Sequence, residues 1–228
     1  MLSLSNLTPF GIGGRRLCFS HPTDKGKCVK VLRIDEQRTV RIKKLRLLPA
    51  FMHRAYNNNA HEKKILSELQ QRIGVGMNQH LPLCYGTIET DLGRGLVLDL
   101  VRDHDGKISR SVRELVSIGH DVEEFREAFD EFGEFLIEHR VLTRNLLDHN
   151  IVVRYLGCGK LKMYLIDGFG DPAWLPFARW FESIARAKIK KRLRTAWHRF
   201  ETFADNGGVT QRMIDKSSWG QGILKHRD

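Results

Sequence analysis

Short apolar runs in the first hundred residues give way to apolar residues at helical spacing in the remainder. The short runs are bounded by glycine and turn residues, a pattern typical of β-strands. They predict two strands around a glycine turn over residues 4–19, a third over 27–34, and a hairpin pair over 81–90 and 95–101. One helix, over residues 60–73, is predicted between the third strand and the hairpin. The first part therefore has five predicted strands and one inserted helix.

Beyond residue 105 the apolar residues recur every three or four positions, which predicts helices over residues 121–139 and 177–203. The apolar residues assigned to these two helices are Val122, Phe125, Phe129, Phe132, Phe135 and Leu136, then Trp180, Phe181, Ile184, Leu193, Trp197 and Phe200. Between the helices, apolar runs at 151–153 and 163–166 predict a tight hairpin. This order predicts an α+β fold with a boundary near residue 102, dividing the chain into 1–101 and 102–228.

Size and composition are those of a soluble globular protein. The 228 residues can bury a sizeable core as one domain or two small lobes, and 29% are charged. Neither a transmembrane segment nor a signal peptide is expected, since no apolar stretch approaches roughly 18 residues and the first ten residues lack a basic leader. Four isolated cysteines without metal-ligand spacing indicate reduced thiols, most of them packing residues, and a cytoplasmic protein.

The net charge of +11 is concentrated in two clusters. Residues 33–54 carry seven basic side chains against two acidic ones, and residues 186–194 carry six with no acid. Such clusters suit an anionic partner, such as a nucleotide, a nucleic acid, a lipid head group or a phosphorylated sugar. The alternative for each cluster is a solvated helix face that keeps the protein soluble.

The spacing of three polar residues in the second part indicates phosphoryl-transfer chemistry. Asn145 precedes Asn150 by five positions, and the following hairpin delivers Asp167 into a glycine-flanked turn. Phosphotransferases of the protein-kinase type use this layout: a loop carries a base and a metal-ligating asparagine, and an aspartate after a hairpin holds magnesium. The alternatives are that Asn150 caps a turn and that Asp167 is a turn-forming aspartate before glycine.

The first part offers matching elements of a nucleotide site. Gly11 and Gly13 form a glycine turn after a short apolar strand, and glycines let a turn lie close over phosphates. Lys30 lies inside an otherwise apolar strand, where a charge needs a partner or ligand. Glu62 on the predicted helix could pair with it and orient the ammonium toward phosphates. The alternatives are an ordinary hairpin turn, an edge-strand lysine and a surface glutamate.

With these motifs the chain resembles a diverged protein-kinase-like fold and, more closely, the YrbL family of bacterial PhoP-network proteins. The family resemblance is carried by Cys-Phe-x-His-Pro at 18–22, Tyr-Gly-Thr-Ile-Glu-Thr at 85–90 and the segment 180–200, and it covers about residues 4–200. It implies two lobes: a small β-rich N-lobe with one helix and a minimal, mostly helical C-lobe.

The resemblance also implies roles for residues of the N-lobe. Gly11 and Gly13 would cover the phosphates of ATP, although Arg16 replaces the usual third glycine. Lys30 would contact the phosphates and pair with Glu62.

Further roles fall on the connector between the lobes and on the C-lobe. The connector Asp99, Leu100 and Val101 would bind the adenine edge through its backbone. Asn150 and Asp167 would hold Mg²⁺, because a hard cation takes oxygen ligands.

Three departures from the kinase pattern bear on activity. Asn145 stands where active kinases have a catalytic aspartate, and an amide cannot accept the substrate proton. An extra glycine, Gly168, follows Asp167. Fewer than 60 residues remain after Gly170, too few for a peptide-binding region. Since a general base contributes about 10²–10⁴-fold, its loss lowers a rate without forbidding transfer. Asp148 is a candidate substitute base, or it caps the turn.

Two functions of different class follow. One is an adenine-nucleotide-binding phosphotransferase that acts slowly on a small-molecule or anionic acceptor recruited by the basic clusters. The other is a pseudokinase, a regulatory binding module that docks a protein partner. Nucleic-acid binding through residues 186–194 is the weakest hypothesis, because the tryptophans there lie at core spacing and no recognition motif accompanies them.

Overall fold

The computed structural model describes residues 1–13, 15–33, 58–171, 177–209, 224 and 226–228. Apart from Arg33, the basic cluster at 33–54 lies outside the described residues. The first part forms an antiparallel sheet of five strands in the order β1-β2-β3-β5-β4. The strands are β1 (Gly11–Ile12), β2 (Arg16–His21), β3 (Asp24–Leu32), β4 (Cys84–Thr90) and β5 (Gly93–Asp99).

The predicted inserted helix is confirmed as α1 (Asn58–Ile73), which continues into a 3-10 helix at Gly74–Gln79. Leu66 and Leu69 of α1 are buried in the main core together with residues of the sheet. Glu62 is buried on the same helix, one turn before Leu66. Burial of this apolar face stabilises α1 and aims Glu62 at the sheet.

The first predicted strand is mostly wrong, because β1 is only two residues long. The preceding segment folds over the sheet instead, with Leu4 buried in a small cluster beside Val29 and Val97. Its backbone amides are satisfied by a side chain: Leu4 and Ser5 donate to the Asp91 carboxylate at 2.7 and 3.0 Å. These bonds replace the strand ladder that the apolar pattern predicts.

The second part is mainly helical around a three-stranded sheet in the order β6-β7-β8. Its elements are β6 (Arg110–Ser111), α2 (Val112–Ser117), a 3-10 helix (Val122–Phe125), α3 (Arg126–Glu138), β7 (Ile151–Gly157), β8 (Lys160–Leu165), α4 (Phe177–Trp180) and α5 (Glu182–Asp205). The predicted hairpin is β7–β8, and the predicted helix over 121–139 begins as 3-10 under an Asp121–Glu124 capping box. The elements β6 and α2 are too short to show a periodicity, so the pattern misses them.

The predicted helix over 177–203 is interrupted at Phe181, which has an extended backbone. As a result Trp180, Phe181 and Ile184 are exposed rather than buried, so the core spacing predicted for the tryptophans holds for Trp197 and not for Trp180. The buried face of α5 begins one turn later and comprises Ala185, Ile189, Leu193, Ala196, Trp197 and Phe200.

One hydrophobic core joins the two parts of the chain. It runs from Cys28 and Leu66 in the first part to Phe132 and Phe200 in the second. His80 reinforces the connection, since its Nδ1 lies 2.8 Å from the carbonyl of Met163 and its own carbonyl accepts from Leu165. Among the described helices, none has the length and apolar character needed to cross a bilayer.

The predicted α+β fold class is confirmed: a five-stranded sheet with one inserted helix is followed by a mostly helical second part. A division into lobes at residue 101 or 102 stays a prediction.

Candidate functional site

Lys30 and Glu62, the predicted strand–helix pair, meet at the interface between sheet and second part. The Lys30 ammonium donates to Glu62 Oε1 at 2.8 Å and to the Ile166 carbonyl at 2.7 Å. Both side chains are buried. Burial alone would lower the pKa of Lys30, but the Glu62 carboxylate reverses this effect and raises it, so the ammonium stays charged.

Arg16 joins this pair from the neighbouring strand. Its buried guanidinium donates to Glu62 Oε2 through one nitrogen and to Asp167 Oδ2 at 2.5 Å through the other. Asn59 supports the arrangement, since its amide nitrogen donates to the Lys30 carbonyl at 2.7 Å and its oxygen lies 3.4 Å from the guanidinium. Arg16, Lys30, Glu62 and Asp167 form what we call the cleft quartet.

The turn after β8 brings Asp167 against the loop that contains both candidate asparagines. Gly168 has φ +85°, and a Cβ there would lie 3.0 Å from the Asn145 carbonyl oxygen and 3.2 Å from the Asn150 amide nitrogen. The Ile166 N–H also donates to the Asn150 carbonyl at 2.9 Å. The spacing argument therefore identified residues that do converge, and the extra glycine is what allows the close approach.

The residues expected to hold Mg²⁺ do not fit that ion as they are arranged. Asp167 Oδ2 accepts from Arg16, and Oδ1 accepts from the Gly168 N–H at 2.6 Å. Burial would raise the pKa of Asp167, but Arg16 and Lys30 hold it well below its usual range. The carboxylate is therefore ionised, and its negative charge is already paired with Arg16. A guanidinium therefore lies where a metal would need the carboxylate oxygens.

Asn145, at the base position, is engaged by the basic cluster of α5. Arg192 donates to the Asn145 side-chain oxygen at 3.1 Å. Lys188 of the same helix pairs with Asp171, just beyond the Asp167 turn. Lys190, Lys191 and Arg194 are exposed. Part of the 186–194 cluster therefore borders the candidate site, and the remainder forms a solvated face.

Asp148, the candidate substitute base, is held in a buried ion pair with Arg113. Both of its carboxylate oxygens accept from Arg113 at 2.8 Å, and the residue is 1% exposed. Burial would raise its pKa, but hydrogen bonds from His149 and Arg113 lower it to about 2. A carboxylate that is held in a buried ion pair and ionised so readily is a poor proton acceptor, so the structure favours the alternative structural role.

The glycine turn and the connector lie on the sheet side of the site. A Cβ at Gly11 or Gly13 would meet its nearest atom at 3.4 Å, so the described contacts do not require glycine at either position. In the connector, Leu100 N–H donates to Gly26 and the Val101 carbonyl accepts from Ser109. The Asp99 carbonyl receives a long 3.7 Å contact from the Cys28 thiol, whose pKa burial raises to about 12.

The main residue missed at this site is Arg16. In the sequence it stands out only as a replacement for glycine, yet it is a charge in an apolar strand, the same signal that identifies Lys30. Arg192 was counted as part of a charge cluster, and its contact with Asn145 depends on how α5 crosses the loop. Asn59 gave no comparable signal, since a polar residue near a helix start is commonplace.

Comparison with known proteins shows the family of this chain. Residues 2–201 match the family described as "PhoP regulatory network protein YrbL". The chain belongs to this family. Proteins named YrbL from Escherichia coli (strain K12) and Shigella flexneri are each 27% identical to this chain over 207 residues, which cover 88% of this chain and 86% of theirs. The predicted membership of the YrbL family is thereby confirmed.

A crystal structure described as a kinase domain is also similar to this YrbL-family chain. The identity is 17%, and the TM-score is 0.44. The match covers 71% of this chain and 49% of the kinase domain, so the chain spans about half of that domain's length.

Proposed function

We propose that this chain binds an adenine nucleotide, ATP, between the five-stranded sheet and the second part. The observation that carries the proposal is the buried Lys30 ammonium, held 2.8 Å from Glu62 and bonded to the Ile166 carbonyl beside Asp167. Burying a lysine costs free energy unless its charge is paired or binds a ligand. In kinases a strand lysine held by a helix glutamate contacts the nucleotide phosphates.

Two further features support nucleotide binding. Gly11 and Gly13 are not required by the described packing, but glycines there would let the turn approach phosphates closely. The Asp99 carbonyl, which receives a long 3.7 Å contact from the Cys28 thiol, is a candidate acceptor for the adenine edge.

The nucleotide could serve either of two purposes. The first is slow, Mg²⁺-dependent phosphoryl transfer to a small or anionic acceptor, which Arg192 and the exposed cations of α5 would recruit beside Asn145. The second is a pseudokinase that acts as a regulatory binding module with a protein partner in the cytoplasm. The Arg16–Asp167 ion pair and the Asn145 amide favour the second purpose, because the base is absent and the aspartate is occupied. Magnesium ligation by Asn150 and Asp167 stays a prediction, and it would require the Arg16–Asp167 ion pair to open.

Thermal unfolding with ATP tests nucleotide binding, because a ligand that binds only the folded state raises the melting temperature. We expect ATP to raise it for the wild type and for Lys64→Ala, an exposed lysine of α1 that serves as the matched control. Lys30→Ala should lose the shift relative to its own ligand-free melting temperature. Equal shifts in all three proteins would contradict the proposal.

Turnover separates the two purposes. ATP hydrolysis that requires Mg²⁺ and is lost in Lys30→Ala and Asp167→Ala would support phosphoryl transfer. Binding without turnover would support the pseudokinase. Salt-sensitive retention on duplex DNA would instead support nucleic-acid binding, the weakest hypothesis.

A further inference from the structure

The cleft quartet already contains an internal cation at the place where a kinase-like site would need a metal. We propose that Arg16 takes the part of the divalent ion, so that this protein binds nucleotide phosphates through Arg16 and Lys30 without Mg²⁺. The inference rests on the proposed nucleotide binding and concerns the cation that the bound phosphates meet.

The charges of the quartet are balanced before any ligand arrives. Lys30 alone would face two carboxylates, Glu62 and Asp167, leaving one negative charge in excess. Such a site repels phosphates unless a metal compensates it. Arg16 removes that excess, because its guanidinium bonds to both carboxylates at once. A divalent ion added beside Asp167 would instead meet a fixed cation.

Arg16 is also placed to reach a ligand held under the glycine turn. Its carbonyl accepts from the Gly13 N–H at 2.8 Å, so its backbone closes the turn that would cover the phosphates. The side chain extends from β2 to α1, where it contacts Asn59 and Glu62. A guanidinium presents several donors in one plane and stays charged at any physiological pH, properties that suit phosphate oxygens.

The buried surroundings hold Arg16 in this position. The residue is 6% exposed, and Asn59 links it to the Lys30 backbone. Two carboxylates from distant segments, α1 and the Asp167 turn, converge on one guanidinium. The buried guanidinium thus has three polar partners, of which Asn59 and Glu62 are buried and Asp167 is 47% exposed.

The test is calorimetric titration of ATP into the full chain, in EDTA and in Mg²⁺. For the wild type we expect similar dissociation constants in the two buffers. For Arg16→Gln we expect binding in EDTA to weaken by about tenfold or more, as for loss of a charged hydrogen-bond donor. Magnesium should restore part of that loss, because Asp167 is then available. Arg94→Gln, an exposed arginine of β5 paired with Glu89, is the control and should bind as the wild type does.

Three outcomes would overturn the inference. If EDTA abolishes wild-type binding, a metal is required and Arg16 does not replace it. If Arg16→Gln binds more tightly than the wild type in both buffers, Arg16 blocks the cleft. If wild-type protein binds no ATP in either buffer, the proposed function fails as well, which distinguishes that result from the first two. The wild-type comparison decides the question even if Arg16→Gln does not fold.

Discussion

Glu62 accepts hydrogen bonds from two buried cations, Lys30 and Arg16. Replacing Glu62 with a neutral side chain would leave Asp167, whose side chain is 47% exposed, as the remaining carboxylate of the cleft quartet for both cations. Breaking a buried pair by removing one partner typically costs about 3–5 kcal/mol. We therefore predict that Glu62→Gln lowers the free energy of unfolding by about 3 kcal/mol, measured by urea denaturation.

The matched control is Glu89→Gln, which removes a carboxylate from the exposed Glu89–Arg94 pair on the same sheet. Surface pairs contribute less than about 1 kcal/mol, so this variant should unfold almost as the wild type does. Similar losses in both variants would show that the Glu62 contacts are not energetically important.

Asp148 gives a pH-dependent prediction at the same scale. Its folded pKa of about 2 lies below the ordinary value, so its ion pair stabilises the fold at pH above about 4, and this contribution is lost as pH falls toward 2. We expect Asp148→Asn to cost on the order of 2 kcal/mol at pH 7. The difference from the wild type should shrink below pH 4 in urea titrations.

Asp130→Asn, at an exposed position of α3, is the control for Asp148→Asn. It should match the wild type at pH 7. A wild-type advantage over Asp148→Asn that stays constant down to pH 3 would contradict the ion-pair account.

At the level of secondary-structure elements, the turn after β8 depends on glycine geometry. Gly168 combines positive φ with a 3.0 Å approach to the Asn145 carbonyl, whereas Gly159 in the β7–β8 turn has φ +74° and nothing within 4 Å of a Cβ. Positive φ alone costs about 1 kcal/mol or more for a side chain. We predict that Gly168→Ala is clearly more destabilising than Gly159→Ala and also weakens ATP binding, measured by thermal shift. Equal effects of the two substitutions would mean that the close approach to the loop is unimportant.

The elements themselves were predictable where their apolar pattern is long. The helices α1 and α3 follow from helical periodicity, because each buries one face over several turns. The strands β3, β5, β7 and β8 follow from short apolar runs, which are buried at consecutive positions, and β4 alternates between half-buried and exposed positions. The failures lie at two places where the backbone departs from the apolar pattern. Asp91 binds the amides of the segment before β1, and an extended Phe181 separates α4 from α5, so neither apolar run extends as its pattern suggests.

For the whole molecule, the shared hydrophobic core predicts cooperative unfolding. Buried residues from both parts belong to one cluster, so neither part should retain its packing when the other unfolds. All four tryptophans lie beyond residue 101, and their fluorescence therefore reports on the second part, whereas far-ultraviolet circular dichroism reports on both. We expect the two signals to give the same urea midpoint. Separate midpoints would show that the parts unfold independently.

The sequence by itself determined the order of the candidate residues, the class of fold and the resemblance to the YrbL family, because periodicity and spacing are local properties of a chain. Only the tertiary structure decided what those residues contact. Arg16 and Asp167 are 151 positions apart, and no local pattern states that their side chains meet. Likewise Asp148 became a partner of Arg113, and Trp180 became exposed, through the way distant segments pack. The apolar pattern of each segment is local, and it determines which side of a helix or strand is buried. A site forms where segments remote in sequence come into contact, and these contacts depend on the packing of the whole core.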